Sequence, residues 1–378
     1  PTRIHSINIL KDAAATALYG SRAANGVIVV ELRAPEAGKL RLQYNTTLTM
    51  EMPDLSSYNL MTASEKLEAE RLAGLYDSTY PNVSPYTSGY YERMNNIIQG
   101  VDTYWLALGL RTAFSQRHSV YVDGGENNVR WGVELNFNGN NGVMQKSNRN
   151  VTGAGFYVDY RIGKFQVKNK ATFTFGSSND VPFNSFSDYS HLNPYLRIYD
   201  EDGNYLRKLE SFSGYSGSLV NPLYEIHNYN SYDKSNYYEI VDNLLVNWNI
   251  TKDLRLRLQM SATIKRENSE LYKDPASASY GTANLALNGD KSVSSGDSNI
   301  IDGTLQLMYN KSIKKHYMNL NLSSNLRSSK YTTEYADYRG FPGGDLTSSN
   351  YAAEIINKPS RNDSRSRLLG FLLTGNYA

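Results

Sequence analysis

Apolar and polar residues alternate along most of this chain with a period of two. In LRLQYNTTLTM, Leu40, Leu42, Tyr44, Thr46, Leu48 and Met50 fall on one face, and Arg41, Gln43, Asn45, Thr47 and Thr49 on the other. That is the pattern of a strand with one apolar side. VRWGVELNFN repeats it, with Val129, Trp131, Val133, Leu135 and Phe137 opposing Arg130, Glu134, Asn136 and Asn138. LRLRLQMSATIK does so again, with Leu254, Leu256, Leu258, Met260, Ala262 and Ile264 opposing Arg255, Arg257, Gln259, Ser261, Thr263 and Lys265. Weaker alternation over 113–124, 151–162, 164–176, 236–250, 298–312, 316–330 and 366–378 brings the expectation to about ten strands, most of 12 residues or more. Soluble sheets favour strands of about five or six residues. Strands of this length suit a tilted sheet crossing a bilayer.

The connections point the same way. Tight turns are expected at GGEN, around Gly163, at Thr251–Asp253 and at Ile313–Lys315. Between them lie long connections over about 51–112, 139–150, 177–235, 266–297 and 331–365. Short and long alternate throughout, as they do in a membrane barrel with short periplasmic turns and long external loops. The predicted class is therefore all-β, a transmembrane antiparallel β-barrel. The long loops carry local order of their own. In MTASEKLEAERLAGLY, Thr62 and Glu65 have capping-box spacing and Gly74 is placed to end the helix. SFSGYSGS and SASYGTANLALNGDKSVSSGDS read as exposed, turn-rich loop.

One stretch departs from the pattern: ILKDAAATALYGSRAANGVIVVELR, Ile9 to Arg33. Asp12 is placed to N-cap a short helix over Ala13–Tyr19, which Gly20 ends. Gly26 then releases the chain into a strand over Val27–Leu32, and a linker through Pro35 and Gly38 leads to the first long strand. The chain thus divides into residues 1–34 and residues 35–378.

Composition narrows the function. With 39 Lys and Arg against 37 Asp and Glu among 378 residues, no basic excess argues for nucleic acid. Cysteine is absent, which excludes disulfide frameworks and thiolate metal sites. Mean hydropathy is −0.53, and apolar runs such as Val27–Val30 fall far short of the ~18 residues of a membrane helix. Tyrosine stands at 31 against 11 Phe and 3 Trp. Its apolar body and wet tip suit both an interfacial girdle and a ligand-stacking surface. PTRIHSINIL has no secretory leader pattern, and LLGFLLTGNYA reads as a strand cut in mid-course, so the chain is expected to be an internal piece of a larger protein.

Candidate chemistry is sparse. YDEDGN, 199–204, lacks the oxygen ligands an EF-hand requires, since Ile198 and Leu209 stand at two of the needed positions, and a turn is the favoured reading. The five histidines are isolated. Gly214–Ser218, GYSGS, is one residue away from a nucleophile elbow and has no strand leading into it. Phosphate-cradling motifs are absent. No catalytic residue, metal or cofactor is expected. Arg41, Arg130, Glu134, Lys168, Lys170, Arg255 and Arg257 lie on the polar faces that would line a barrel lumen. The loop tyrosines Tyr189, Tyr195, Tyr199 and Tyr215 are candidates to stack on sugar rings or line a peptide groove, with Tyr224 and Tyr229 behind them.

The run from Ser6 to Val30 resembles the end of the plug domain of SusC/RagA-type TonB-dependent outer-membrane transporters of Bacteroidota. Asp12, Tyr19, Gly20, Ser21, Arg22, Asn25 and Gly26 carry the match, and Ala23 departs from the family's usual glycine. Asp102-Thr103-Tyr104-Trp105, the run from Arg111 through Gly124-Gly125 to Arg130-Trp131, then Gly142-Val143, Arg149, Asn221-Pro222-Leu223 and Asp253-Leu254 extend it more loosely over the whole chain. The resemblance implies a barrel of about 22 strands around an N-terminal plug. This chain would hold the end of the plug (1–34) and the first ten or so strands with their extracellular loops (35–378). It further implies an outer-membrane location, a SusD-like surface lipoprotein as lid, and TonB pulling on a more N-terminal segment. The cargo would be a large nutrient, a glycan first and an oligopeptide next. Competing readings are a barrel serving as a structural subunit of a larger assembly, a siderophore or vitamin receptor, and a barrel-embedded hydrolase.

Overall fold

The computed structural model describes residues 4–11, 26–76, 86–210, 219–280 and 284–378. The expected helix over Ala13–Tyr19, and with it Asp12, Tyr19, Gly20, Ser21, Arg22 and Asn25, lies outside the described residues, as do Tyr215 and the GYSGS stretch.

Ten long strands form one antiparallel sheet in chain order. They are β3 (Gly38–Glu51), β4 (Ala113–Gly125), β5 (Val129–Asn141), β6 (Asn148–Ile162), β7 (Phe165–Asp180), β8 (Tyr232–Asn249), β9 (Leu254–Lys273), β10 (Asp290–Ile313), β11 (His316–Arg339) and β13 (Ser360–Tyr377). A two-residue strand, β12 (Glu354–Ile355), pairs with the upper end of β11. Within the described residues the sheet does not close on itself, and β3 and β13 are its two ends. Among the described residues no helix is long and apolar enough to cross a membrane. Before the sheet, β1 (Ile4–Leu10) and β2 (Val27–Leu32) form a separate antiparallel pair. The expected strand at 27–32 is present, and its partner β1 is an addition that the short, mixed segment IHSINIL does not announce.

Register carries the face assignment across the whole sheet. Directly opposed residues share a face, and one such row runs Ile162, Phe165, Trp248, Leu256, Leu307, Leu322 and Leu373 from β6 to β13. Leu322, Leu373 and their neighbours Leu326, Leu369 and Phe371 stand open to the surroundings. The opposite face carries Arg41, Asp123, Arg130, Glu134, Asp159, Lys168, Lys170, Arg257, Asp302 and Arg327. A one-residue slip would exchange the two faces. The stacked pair Phe165 and Trp248, with centroids 5.3 Å apart, marks one edge of the apolar band. Phe175 stands ten residues further along β7, ~25 Å higher at about 2.5 Å of axial rise per tilted residue, which matches the ~25 Å band of a membrane barrel.

At one end of the sheet every connection is short: 126–128, 163–164, 250–253 and 314–315. Gly163 takes φ +54° at its two-residue turn, whereas at 314–315 the left-handed position is filled by Lys314 at φ +52°. A turn that spends a lysine where glycine costs nothing is harder to see in sequence. At the other end the connections are 52–112, 142–147, 181–231, 274–289 and 340–359.

The strands run further toward that end than alternation predicts. KSVSSGD, expected as loop, belongs to β10, where residues 290–297 pair with 266–273 of β9 and 332–339 of β11. Small polar residues on both faces erase the period-two signal, but the backbone ladder is indifferent to side-chain polarity. The expected connection at 139–150 shrinks to 142–147 for the same reason.

Candidate functional site

The inner face and the loops above it are built from different chemistry. At the turn end, Asp123 of β4 is fully buried and accepts a hydrogen bond from Arg41 Nε at 3.2 Å. It also accepts the backbone N–H of Glu36 at 3.3 Å, and Arg41 bonds the Glu36 carboxylate at 2.6 Å. This clamp fixes the linker between β2 and β3 to the sheet wall. Further along the same face Asp159 accepts from Gln166 at 2.9 Å and Arg161 at 3.2 Å, and Arg257 donates to Asn247 at 3.0 Å. The inward charges are thus largely satisfied within the wall.

Near the loop end the wall opens into a polar recess of about 620 Å³. Thr49 and Glu51 of β3, Ser115 of β4, Asn140 of β5, Arg149 of β6, Ser178 and Asp180 of β7, and Asp233 and Ser235 of β8 line it. Alternation places each of these inward because its neighbours in sequence face out. Hydroxyls, amides, three carboxylates and one guanidinium give the recess a surface rich in hydrogen-bonding groups. Among the described residues no group of three or more His, Cys, Asp or Glu could hold a metal ion.

The long loops pack into a cap with its own core. Helix α1 (Ala63–Leu72) begins with the expected capping box, Thr62 Oγ1 accepting from Glu65 N and Glu65 accepting from Thr62 N. It ends in a Schellman motif, Gly74 N to Arg71 O and Leu75 N to Glu70 O, with Gly74 at φ +75°. Helices α2 (Tyr86–Ile98), α3 (Trp105–Leu108), α4 (Phe186–Ser190) and α5 (Pro222–Asn228) complete the cap. Its apolar core gathers Leu67, Trp105, Leu196, Leu209, Leu223 and Ile226.

Within that core Arg93 of α2 forks onto Glu210 at 2.7 and 3.0 Å and donates to Tyr76 Oη at 2.7 Å. Tyr76 in turn donates to Glu70 at 2.6 Å, as Tyr195 does at 3.0 Å. Burial works against the Arg93 charge, but the Glu210 fork and the other partners outweigh it and hold the guanidinium above its ordinary range. Burial likewise pushes Tyr76 and Tyr195 up, so both remain phenol donors.

This placement decides among the candidate tyrosines. Tyr195 and Tyr189 are each 1 % exposed, and Tyr189 donates to Asn184 at 3.0 Å. Both are built into the cap core and present no face to a ligand in this conformation. Tyr199 is 45 % exposed and heads a stack of three rings, with Tyr205 5.0 Å away and His227 5.1 Å beyond that. It borders a cleft of about 610 Å³ lined also by Gln99, Asp102, Thr103, Tyr104 and Arg197. Tyr104 is a ligand-accessible ring that the ranking by loop composition misses, although it sits inside the DTYW motif. The YDEDGN stretch is a turn, as expected, with Asp200 Oδ1 accepting from the N–H groups of Asp202 and Asn204. Gly26, at φ +97°, opens β2.

No family model matches the chain. It is 25 % identical over 317 residues to the TonB-dependent receptor SusC of Bacteroides thetaiotaomicron, covering 77 % of this chain and 29 % of SusC. This chain is homologous to SusC. The TonB-dependent receptor P3 of Formosa agariphila is 30 % identical over 149 residues, 39 % of this chain and 13 % of P3. In fold, the whole chain matches the RagAB peptide importer in its open-open state with a TM-score of 0.82 at 18 % identity, over 44 % of that chain. A further RagAB peptide transporter structure gives 0.83 at 16 % identity. The chain therefore spans under half the length of the proteins it matches, and the matching fold is an outer-membrane β-barrel. The matched proteins are named as TonB-dependent receptors and as a peptide importer.

Proposed function

We propose that this chain forms part of an outer-membrane barrel that imports a large polar nutrient, a glycan first, driven by TonB and partnered by a SusD-like surface lipoprotein. The observation that carries this reading is the pairing of an apolar outward face with a polar inward face that widens into the 620 Å³ recess beneath a loop cap. Descent shared with SusC supports the TonB-dependent class. In this reading β1 and β2 belong to the end of a plug (1–34), and the motif around Asp12, Tyr19, Gly20, Ser21, Arg22, Asn25 and Gly26 serves its packing. The barrel wall and loops occupy 35–378. Tyr199 and Tyr104 supply ring faces for a sugar or an extended chain, and the recess supplies hydrogen bonds. Its three carboxylates against one guanidinium favour an oligopeptide with basic residues as the second reading.

An in-frame deletion of the gene, scored for growth on a panel of glycans and of oligopeptides as sole nutrient, tests the proposal. Loss of growth on one class, restored by the wild-type gene and not by the Tyr199→Ala, Tyr104→Ala double variant, is the expected result. Unchanged growth across both panels would sink the import reading.

A further inference from the structure

Three residues of the DTYW motif hold the fourth in place. Asp102 accepts the N–H of Ala63 at 2.9 Å, which ties the motif to the start of α1. Thr103 Oγ1 donates to Leu196 O at 2.8 Å, and Trp105 Nε1 donates to Asn193 O at 3.0 Å. Thr103 N adds a bond to Pro194 O at 2.8 Å. Trp105 is buried by this, at 2 % exposed, whereas Tyr104 stands out at 40 %. Tyr104 is therefore a fixed ridge with two hollows against it. A pocket of about 400 Å³, lined by Lys66, Leu60 and Met61, and the cleft of about 610 Å³ with Arg197 and Tyr199 share Asp102, Thr103 and Tyr104 as their common wall.

Each hollow carries one cation. Arg197 Nε donates to Asn96 Oδ1 at 2.7 Å, and Asn96 Nδ2 donates to Tyr195 O at 3.2 Å, so the guanidinium is held in a set orientation on the cleft wall. Lys66 lies 3.5 Å from Glu70, a carboxylate it shares with Tyr76, Tyr195 and Arg93. One negative charge is thus divided among several donors. Asp102 is the acid common to both walls, and it sits at the N-terminal end of α1, where the helix dipole offsets its charge. The last carbonyls of α2 beside the cleft, those of Asn96 and Ile97, are bonded by Val101 N and Gly100 N. None of these residues belongs to β3 or β13, the two end strands of the sheet.

We propose that the Tyr104 ridge and its two hollows form a capture site for an acidic oligosaccharide, one sugar stacked on Tyr104 and acidic groups of the chain bound by Arg197 and Lys66. A tyrosine ring offers an apolar face with a wet tip, which suits the flat C–H face of a sugar. An oriented guanidinium matches the two oxygens of a carboxylate in bidentate fashion, and the lysine adds a point charge. Sulfate esters present the same oxygen chemistry. The recess beneath the cap, with three carboxylates against one guanidinium, has the opposite sign, so the acidic groups rest on the ridge and not there. This inference deepens the import reading and rests on it.

The test is calorimetric titration of the intact protein with four oligomers of matched length: oligogalacturonate, its methyl ester as the uncharged twin, a sulfated galactan and oligoglutamate. Wild-type protein is expected to bind the free acid about tenfold or more tighter than the ester. Arg197→Gln should weaken the acid about tenfold and leave the ester unchanged. Lys66→Gln, on the surface of α1 and free of the Asn96 contact, should weaken the acid about threefold. Tyr104→Ala should weaken acid and ester alike, and Arg71→Gln, at the exposed Glu68 pair, should change neither. Sulfated galactan bound more tightly than the uronate supports the site with sulfate as its anion. Equal affinity for acid and ester overturns the proposal, as does an Arg71→Gln loss as large as that of Arg197→Gln. Tighter binding of oligoglutamate than of either acidic sugar overturns it in favour of an acidic peptide. Growth of the deletion strain reads import separately. Lost growth on glycans with no charge preference in the titrations removes the capture site and leaves import standing, whereas charge-selective binding with unchanged growth supports the site and counts against import.

Discussion

Replacing Leu322 by arginine tests both the face and the depth assigned to the sheet. Leu322 lies six residues beyond His316 in β11, between Leu307 and Leu373, and is 48 % exposed on the outward face. Six residues at about 2.5 Å each place it ~15 Å above the turns, close to the middle of a ~25 Å band. A guanidinium there should cost about 2–4 kcal/mol. Leu256 belongs to the same row but stands only two residues beyond Leu254, ~5 Å above the turns, where the penalty falls to about 0–1 kcal/mol. Arg257 is its inward neighbour, and Arg257→Leu loses mainly the 3.0 Å bond to Asn247, worth about 1 kcal/mol. The assay is reversible urea unfolding of the intact protein from phospholipid vesicles, followed by tryptophan fluorescence. The expected order of destabilisation is Leu322→Arg well above both Leu256→Arg and Arg257→Leu. Equal losses for the two leucine variants would refute the depth scale, and a larger loss for Arg257→Leu than for Leu322→Arg would refute the face assignment.

Two further predictions concern the cap. Arg93→Met removes the cation between Glu210 and Glu70 and leaves buried carboxylates without it. The cap should lose about 3–5 kcal/mol, read as faster proteolysis and hydrogen exchange across 86–98 and 195–210, while Arg71→Met, at the exposed Glu68 pair, changes little. Glu225 is fully buried, and burial raises its pKa above the ordinary carboxylate value. Its contribution is therefore complete below about 4.3, the unfolded value, and is lost as pH climbs through the raised folded value. Glu225→Gln keeps an acceptor for Ala278 N–H, bonded at 2.8 Å, and should flatten the pH dependence of exchange in 222–228 and 274–280. A variant that still loosens with rising pH like the wild type would show that another group titrates.

The strand faces were legible because membrane and lumen impose opposite polarity on neighbouring residues, and Leu256 and Arg257 are assigned correctly on that ground alone. Height was not legible, since alternation repeats identically from the turns to the loops. Nor were the upper ends of β9, β10 and β11, where both faces meet water and SVSSGDS looks like any polar loop. The capping box at Thr62 and Glu65 was readable because its chemistry is local. The fates of Tyr189, Tyr195 and Tyr199 were not, because three loop tyrosines of similar context differ only in what folds over them. Tyr195 owes its burial to Glu70 and Arg93, more than a hundred residues away in sequence.

The clamp at Asp123 has a mechanical corollary. Ile4 pairs with Leu32 at one end of the β1–β2 ladder, and Glu36, four residues on, is tied to the wall. A tug on the segment before Ile4, resisted at Glu36, therefore loads both strands at the same end. Ladder bonds run perpendicular to antiparallel strands, so the load meets them one rung at a time and peels the pair open like a zipper, instead of shearing all rungs together. The small sheet would yield to a weak, sustained tension, and the Arg41–Asp123 anchor is the fixed point against which it opens.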